Sequence, residues 1–193
     1  KWMREISGSG FSKRFTHSGE LIRVLPYGEN PHQKAAFYSN GSNLPGIASS
    51  FQQQGKELSF NNINDANAAF ELISEFRSSE GPVCAIIKHT NPCGVARRKT
   101  TAEAYKAALL CDRKSAFGGI ICFNESLDEE TAKLISDNFT EVIVAPDVND
   151  RAKAIFNKNP KVRVLTTGQM IGSEFSEKRI TYIAGGFLLQ DKD

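Results

Sequence analysis

Apolar runs of strand length alternate along this chain with segments whose apolar positions recur every three or four residues. Ala66, Ala69, Phe70, Ile73 and Phe76 have the second spacing. They predict an amphipathic helix over residues 66–77, capped by Asn64 or Asp65. After Gly81-Pro82 comes an unbroken apolar run, Val83 to Ile87, of the length of a buried strand. It stops at Lys88-His89, and Asn91-Pro92 followed by Cys93-Gly94 reads as a turn. Thr100 with Glu103 has capping-box spacing and opens a helix with Ala104, Ala107, Ala108 and Cys111 on one side, ending near Asp112. Ser115 to Gly119 reads as a tight loop feeding a second buried strand, Ile120 to Phe123. Ser126 with Glu129 marks a helix over 128–138, Glu141 to Ala145 is a third strand stopped by Pro146, and 149–157 is a short basic helix. Val162 to Leu165 is a fourth strand, and Ile180 to Ala184 a fifth.

The chain before residue 34 is less regular. Residues 1–26 mix charge, Gly and Ser, with Ser7-Gly8-Ser9-Gly10 of linker composition, and read as a tail or interdomain linker. Tyr27 to Gln33 is a polar loop running into a short strand over 34–38. Residues 27–193 then form one subdomain. Strands alternating with helices predict an α/β protein with a layered three-layer α/β/α sheet, helices on both faces and parallel strand pairs.

Composition narrows the function classes. The 193 residues suffice for one sizeable core. With 24 basic and 22 acidic side chains the net charge is +2, so no general basic field points to nucleic acid. Arg97-Arg98-Lys99 is a run of three and reads as a solvated loop. No apolar run approaches the roughly 20 residues that span a bilayer, and no signal peptide opens the chain. It starts at Lys1 rather than Met, and is read as a piece or a processed form of a longer protein. None of the four cysteines forms a C-x-x-C pair, and Cys84 and Cys122 sit inside apolar runs. That usage fits a reduced, cytoplasmic protein better than a disulfide framework.

The chemistry concentrates after the first apolar strand. A buried strand followed by a polar turn places side chains at the carboxyl end of a sheet, where open α/β folds hold their sites. Lys88 and His89 are adjacent, and adjacent strand residues face opposite ways. They share one pocket only if the chain turns there. A strand end showing two polar side chains to solvent is one reading of the pair. The other is a base beside a cation: imidazole takes a proton near neutral pH, and ammonium stabilises an oxyanion or gives a proton to a leaving nitrogen. That combination suits acyl transfer to a weakly basic amine.

Two rival sites compete on the same stretch. His89 followed by Pro92-Cys93 approaches the zinc deaminase signature. Asn91 stands where that signature has Glu, and no Cys follows three residues after Cys93. Two ligands are too few for zinc. Cys93 as a thiol nucleophile beside His89 is the second rival, against a small residue in a turn. In Ser115-Ala116-Phe117-Gly118-Gly119 the paired glycines read as a turn, or as a place where backbone closes on a flat ligand walled by Phe117.

Five motifs, taken in order, carry a resemblance. They are Tyr27-Gly28-Glu29-Asn30-Pro31-His32-Gln33, Gly55-Lys56-Glu57-Leu58-Ser59-Phe60-Asn61-Asn62, Ile87-Lys88-His89-Thr90-Asn91-Pro92-Cys93-Gly94, Ser115-Ala116-Phe117-Gly118-Gly119 and Val144-Ala145-Pro146. Together they resemble the AICAR transformylase part of the bifunctional AICAR transformylase/IMP cyclohydrolase family, from residue 21 onward. The resemblance implies a cytidine deaminase-like fold and formyl transfer from the co-substrate 10-formyltetrahydrofolate to the 5-amino group of AICAR, in de novo purine biosynthesis. It implies His89 as general base, Lys88 as the residue stabilising the transition state, and Tyr27, His89, Gly118 and Glu141 as nucleotide contacts, with the Glu141 carboxylate on a ribose hydroxyl. It further implies a homodimer with sites built across subunits, no metal, and a chain holding only the first half of the transformylase. Where the family has a phosphate-gripping Arg before Tyr-Gly-Glu-Asn-Pro, this chain has Pro26, which lacks both charge and backbone donor. That departure motivates a second expectation, a nucleotide-binding or assembly module without catalysis.

Overall fold

The computed structural model describes residues 11–42, 44–76, 78–169 and 178–191. The linker-like Ser7 to Gly10 lies outside the described residues. Helix α1 (Phe60–Ser74) starts six residues before its expected position. Ser59, rather than Asn64 or Asp65, is the cap: its hydroxyl accepts from the Asn62 amide, and the Asn62 side chain accepts from the Ser59 amide. Asn in place of the usual Glu or Gln completes this reciprocal box. The apolar stripe behaves as its spacing requires, with Ala66, Ala69, Phe70 and Ile73 buried.

The central sheet has six strands in the order β3-β8-β7-β6-β4-β5. They are β3 (Phe51–Gln54), β4 (Val83–Lys88), β5 (Asn91–Arg97), β6 (Ile120–Phe123), β7 (Val142–Ala145) and β8 (Arg163–Thr166). β6, β7 and β8 run parallel, joined by helices α4 (Glu129–Ser136) and α5 (Asp150–Phe156). β4 lies antiparallel to both β5 and β6, and β3 antiparallel to β8. The sheet is therefore mixed, with parallel pairs confined to its middle.

Residues alternate between two cores, as period-2 strands demand. Val83, Ala85, Ile87, Ile120, Cys122, Val142 and Val144 pack with α1 on one face. Cys84, Ile86, Ile121, Phe123, Ile143 and Ala145 pack on the other with α2 (Thr101–Cys111), α4 and α5. This is the expected α/β/α layering. Full burial of a side chain such as Ile73 or Ile143 stabilises the fold by about 1.5–3 kcal/mol relative to exposure.

Three expectations are corrected. The segment Asn91 to Gly94 is not a turn but the start of β5, and the chain reverses one step earlier, at His89-Thr90. Pro92 fits there because β5 is an edge strand with one side unpaired. Residues 20–25, read as part of a tail, form β1 (Glu20–Leu25), antiparallel to β2 (Ala35–Ser39). The strand foreseen at 180–184 exists as β9 (Lys178–Ile183), but among the described residues it pairs with β10 (Gly186–Asp191) in a ribbon separate from the central sheet. Elsewhere the differences are small. Asp128 caps α4, not Ser126, and Arg113–Ala116 forms one helical turn, α3, inside the segment preceding β6. Of the basic run, Arg97 pairs with Glu80 and Arg98 bonds the Arg97 carbonyl.

Candidate functional site at one edge of the sheet

The direction of β4 decides where the site residues meet. Because β4 opposes the parallel trio, its carboxyl end lies beside the amino ends of β6 and β7. The register states this directly: Ile87 pairs with Ile120, and Ile120 with Val142. Lys88-His89 follows Ile87, Gly118-Gly119 precedes Ile120, and Glu141 precedes Val142. All three pieces of sequence reach one sheet edge. Lys88-His89 lies at the carboxyl end of β4, whereas Gly118-Gly119 and Glu141 lie at the amino ends of β6 and β7.

Lys88 and His89 are held differently. Lys88 is half-buried, and its Nζ donates to the Phe117 carbonyl at 2.7 Å. His89 is exposed and has φ 51°, with Thr90 at φ 60°. Positive φ at both central residues is the signature of a type I′ hairpin turn, usually built from Asn or Gly. Neither residue here is Gly, so the turn must be stabilised from outside. Asp65 does this: its two carboxylate oxygens accept from the amides of His89 (3.1 Å) and Thr90 (2.8 Å). The His89 carbonyl in turn accepts from Thr90 Oγ1 and Asn91 Nδ2, both at 2.7 Å. Every backbone polar group of His89 is thereby engaged.

Helix α1 connects the remaining parts. Asn62, one turn before Asp65, donates through Nδ2 to Glu141 Oε2 at 2.9 Å. Asn61 donates to the Glu29 carbonyl at 3.3 Å, which ties the Tyr27 loop to the helix start. Inside that loop Gly28 and Gln33 close a turn, the Gly28 amide donating to the Gln33 carbonyl. The Glu141 amide donates to the Gly119 carbonyl at 3.2 Å, and the Gly118 amide to the Phe139 carbonyl at 2.9 Å. Gly118 has φ 72°, and a Cβ there would press on the Phe139 ring at 3.1 Å. Hydrogen bonds thus tie the His89 turn and the Glu141 carboxylate to α1, Lys88 to the segment just before Gly118, and the loop that contains Tyr27 to the helix start through Glu29. Asp65 and Asn62 were missed as site residues, because Asp65 read only as a candidate helix cap and Asn62 only as the last residue of the second motif. Their three-residue separation, which puts both on one helix face, was the available clue.

Two aromatic rings in these loops stand out to solvent. Phe117 is 62% exposed and Tyr27 40% exposed. Phe117 also packs against Phe139 with ring centroids 5.2 Å apart. Arg23, the cation nearest Pro26 in sequence, is turned toward the helix start: Nη2 donates to the Leu58 carbonyl at 3.0 Å, and Nε is buried with no partner. Cys93 sits at the bulge where the β4–β5 register shifts. Burial, then the nearby Asp112 carboxylate, pushes its thiol pKa up despite the opposing effect of Lys88. A thiol held in its neutral form is a poor nucleophile. Among the described residues no three His, Cys, Asp or Glu side chains converge as a metal site, and no described helix is long and apolar enough to cross a membrane.

Comparison with known proteins adds a family. The profile described as AICARFT/IMPCHase bienzyme matches residues 1–193. The chain is 53% identical over 192 residues to the bifunctional purine biosynthesis protein PurH of Cereibacter sphaeroides, which is 100% of this chain and 36% of that protein. The PurH of Paracoccus denitrificans gives the same identity and coverage. That of Jannaschia sp. is 56% identical over 176 residues, 91% of this chain and 33% of that protein. The chain therefore spans about a third of the length of these curated relatives.

Proposed function

The chain belongs to the AICARFT/IMPCHase bienzyme family, and from that premise we propose that it carries the catalytic pair for formyl transfer to AICAR in purine biosynthesis. The observation behind this reading is the meeting of the Lys88-His89 turn, the Gly118 loop and Glu141 at one sheet edge. The 5-amino nitrogen of AICAR attacks the formyl carbon of 10-formyltetrahydrofolate. His89 takes the proton that the amine loses. Lys88 stabilises the oxyanion, and a proton reaches the folate N10 as its bond to the formyl carbon breaks. Glu141 is suited to a ribose hydroxyl, and Tyr27 and Gly118 to the nucleotide's flat and close-packed parts. The family resemblance adds a cytoplasmic homodimer.

A second reading, nucleotide binding without transfer, draws on Pro26 and on Arg23, whose guanidinium is committed to the Leu58 carbonyl. The two separate in an assay of the completed enzyme, meaning this chain joined to the remaining length of a PurH relative. Formyl transfer predicts formylated AICAR and tetrahydrofolate in equal amounts. AICAR binding with neither product would leave the second reading standing.

A further inference from the structure

We propose that Asp65 is a positioning residue for this transfer, holding His89 in its working geometry by accepting the two amides of a left-handed turn. The role rests on His89 being the base. Asp65 reaches neither Lys88 nor Glu141 through any hydrogen bond; its two oxygens are spent on the amides of His89 and Thr90. Those residues are the only non-glycine positions with positive φ among the described residues. Thr is β-branched and tolerates that region poorly. Without the carboxylate, the amides of His89 and Thr90 lose their acceptor and the turn loses its reason to stay left-handed. Asp65 itself is fixed, because it lies on α1 one turn beyond the Ser59–Asn62 cap. The helix thus relays its own position to the imidazole through one carboxylate, and the same helix holds Glu141 through Asn62. Base and nucleotide contact are set from a single rigid element.

The test is kinetic and uses the completed enzyme. Asp65→Ala is expected to lower kcat by about 10- to 100-fold, the cost of displacing a reacting group by around an ångström. The KM for AICAR should change far less, because Asp65 is not assigned to the nucleotide. Thr90→Gly added to Asp65→Ala should restore much of the lost kcat, since Gly adopts positive φ without help. A general structural role for Asp65 in α1 would not be rescued by a change in the turn. Where Asp65→Ala fails to fold, Asp65→Asn with and without Thr90→Gly gives the same comparison, because the amide keeps one acceptor. Parental kcat in Asp65→Ala, or a loss that Thr90→Gly does not relieve, overturns the role. His89→Ala in the same protein separates the two levels. If it retains turnover, His89 is not the base; if it loses turnover while Asp65→Ala does not, only the role of Asp65 falls.

Discussion

At the scale of single residues, side chains that look alike in sequence are sorted by their surroundings. Lys88 and His89 are neighbours, yet one is anchored to a carbonyl and the other stands exposed on a strained turn. The four cysteines divide in the same way. Burial pushes the Cys84 thiol well up, and Cys122 is raised by the same cause, while Cys111 is exposed. Cys93 is raised by burial and by Asp112, whose own carboxyl is held below its usual range by hydrogen bonds from Ser115. Only thiolate reacts with an alkylating reagent, so a raised pKa means slower labelling at neutral pH and a steeper gain as pH rises. Iodoacetamide followed by peptide mapping should find exposed Cys111 modified first at pH 7, with labelling of Cys93 lagging behind it. Cys93 labelled ahead of Cys111 at pH 7 would return the thiol-nucleophile reading to consideration.

At the scale of elements, what was legible depended on whether local pattern and tertiary context agreed. β4, β6 and β7 were readable because they are buried on both faces, and such strands are written as continuous apolar runs, whereas β8 shows only the buried pair Val164-Leu165 between Arg163 and Thr166. Helix α2 was readable from Thr100, whose hydroxyl accepts the Glu103 amide. β5 was not. Asn-Pro-Cys-Gly is turn chemistry in isolation, and only its place at the sheet edge, with α2 against it, makes it a strand. Gly94 shows the reason: a Cβ there would overlap the Ala108 carbonyl of α2. Glycine is therefore required by close packing, not by a turn. Gly94→Ala should push α2 off the sheet and destabilise the chain by about 1–3 kcal/mol, the range for overpacking. A urea titration would show this as a lower midpoint, and an unchanged midpoint would refute the packing explanation. The start of α1 was misplaced for a related reason, since Asn62 does the work normally given to Glu or Gln.

At the scale of the whole molecule, the candidate site was half legible. The motifs named candidate residues, but not the device that gathers them. That device is topological: one strand antiparallel to a parallel trio brings a carboxyl end beside two amino ends. Pairing direction is a long-range property, and nothing in an apolar run of five residues encodes it. The same scale raises the question of the phosphate. Pro26 offers no charge, and Arg23 is engaged with Leu58. In the completed enzyme, Pro26→Arg should tighten AICAR binding by about 1.5–3 kcal/mol, the worth of a hydrogen bond to a charged group. The nucleoside without phosphate should gain little in the same calorimetric titration. Equal gains would mean that residue 26 acts through backbone shape. The central claim, that the Lys88-His89 turn performs the transfer, is tested most directly by turnover in His89→Ala, Lys88→Ala and the double variant, with AICAR affinity measured alongside. General base catalysis contributes about 100- to 10,000-fold, and one oxyanion donor about 100- to 1,000-fold. Each single variant should lose turnover on that scale while AICAR affinity changes little, and the double variant should lose less than the product of the two. Near-parental turnover in His89→Ala would contradict the claim.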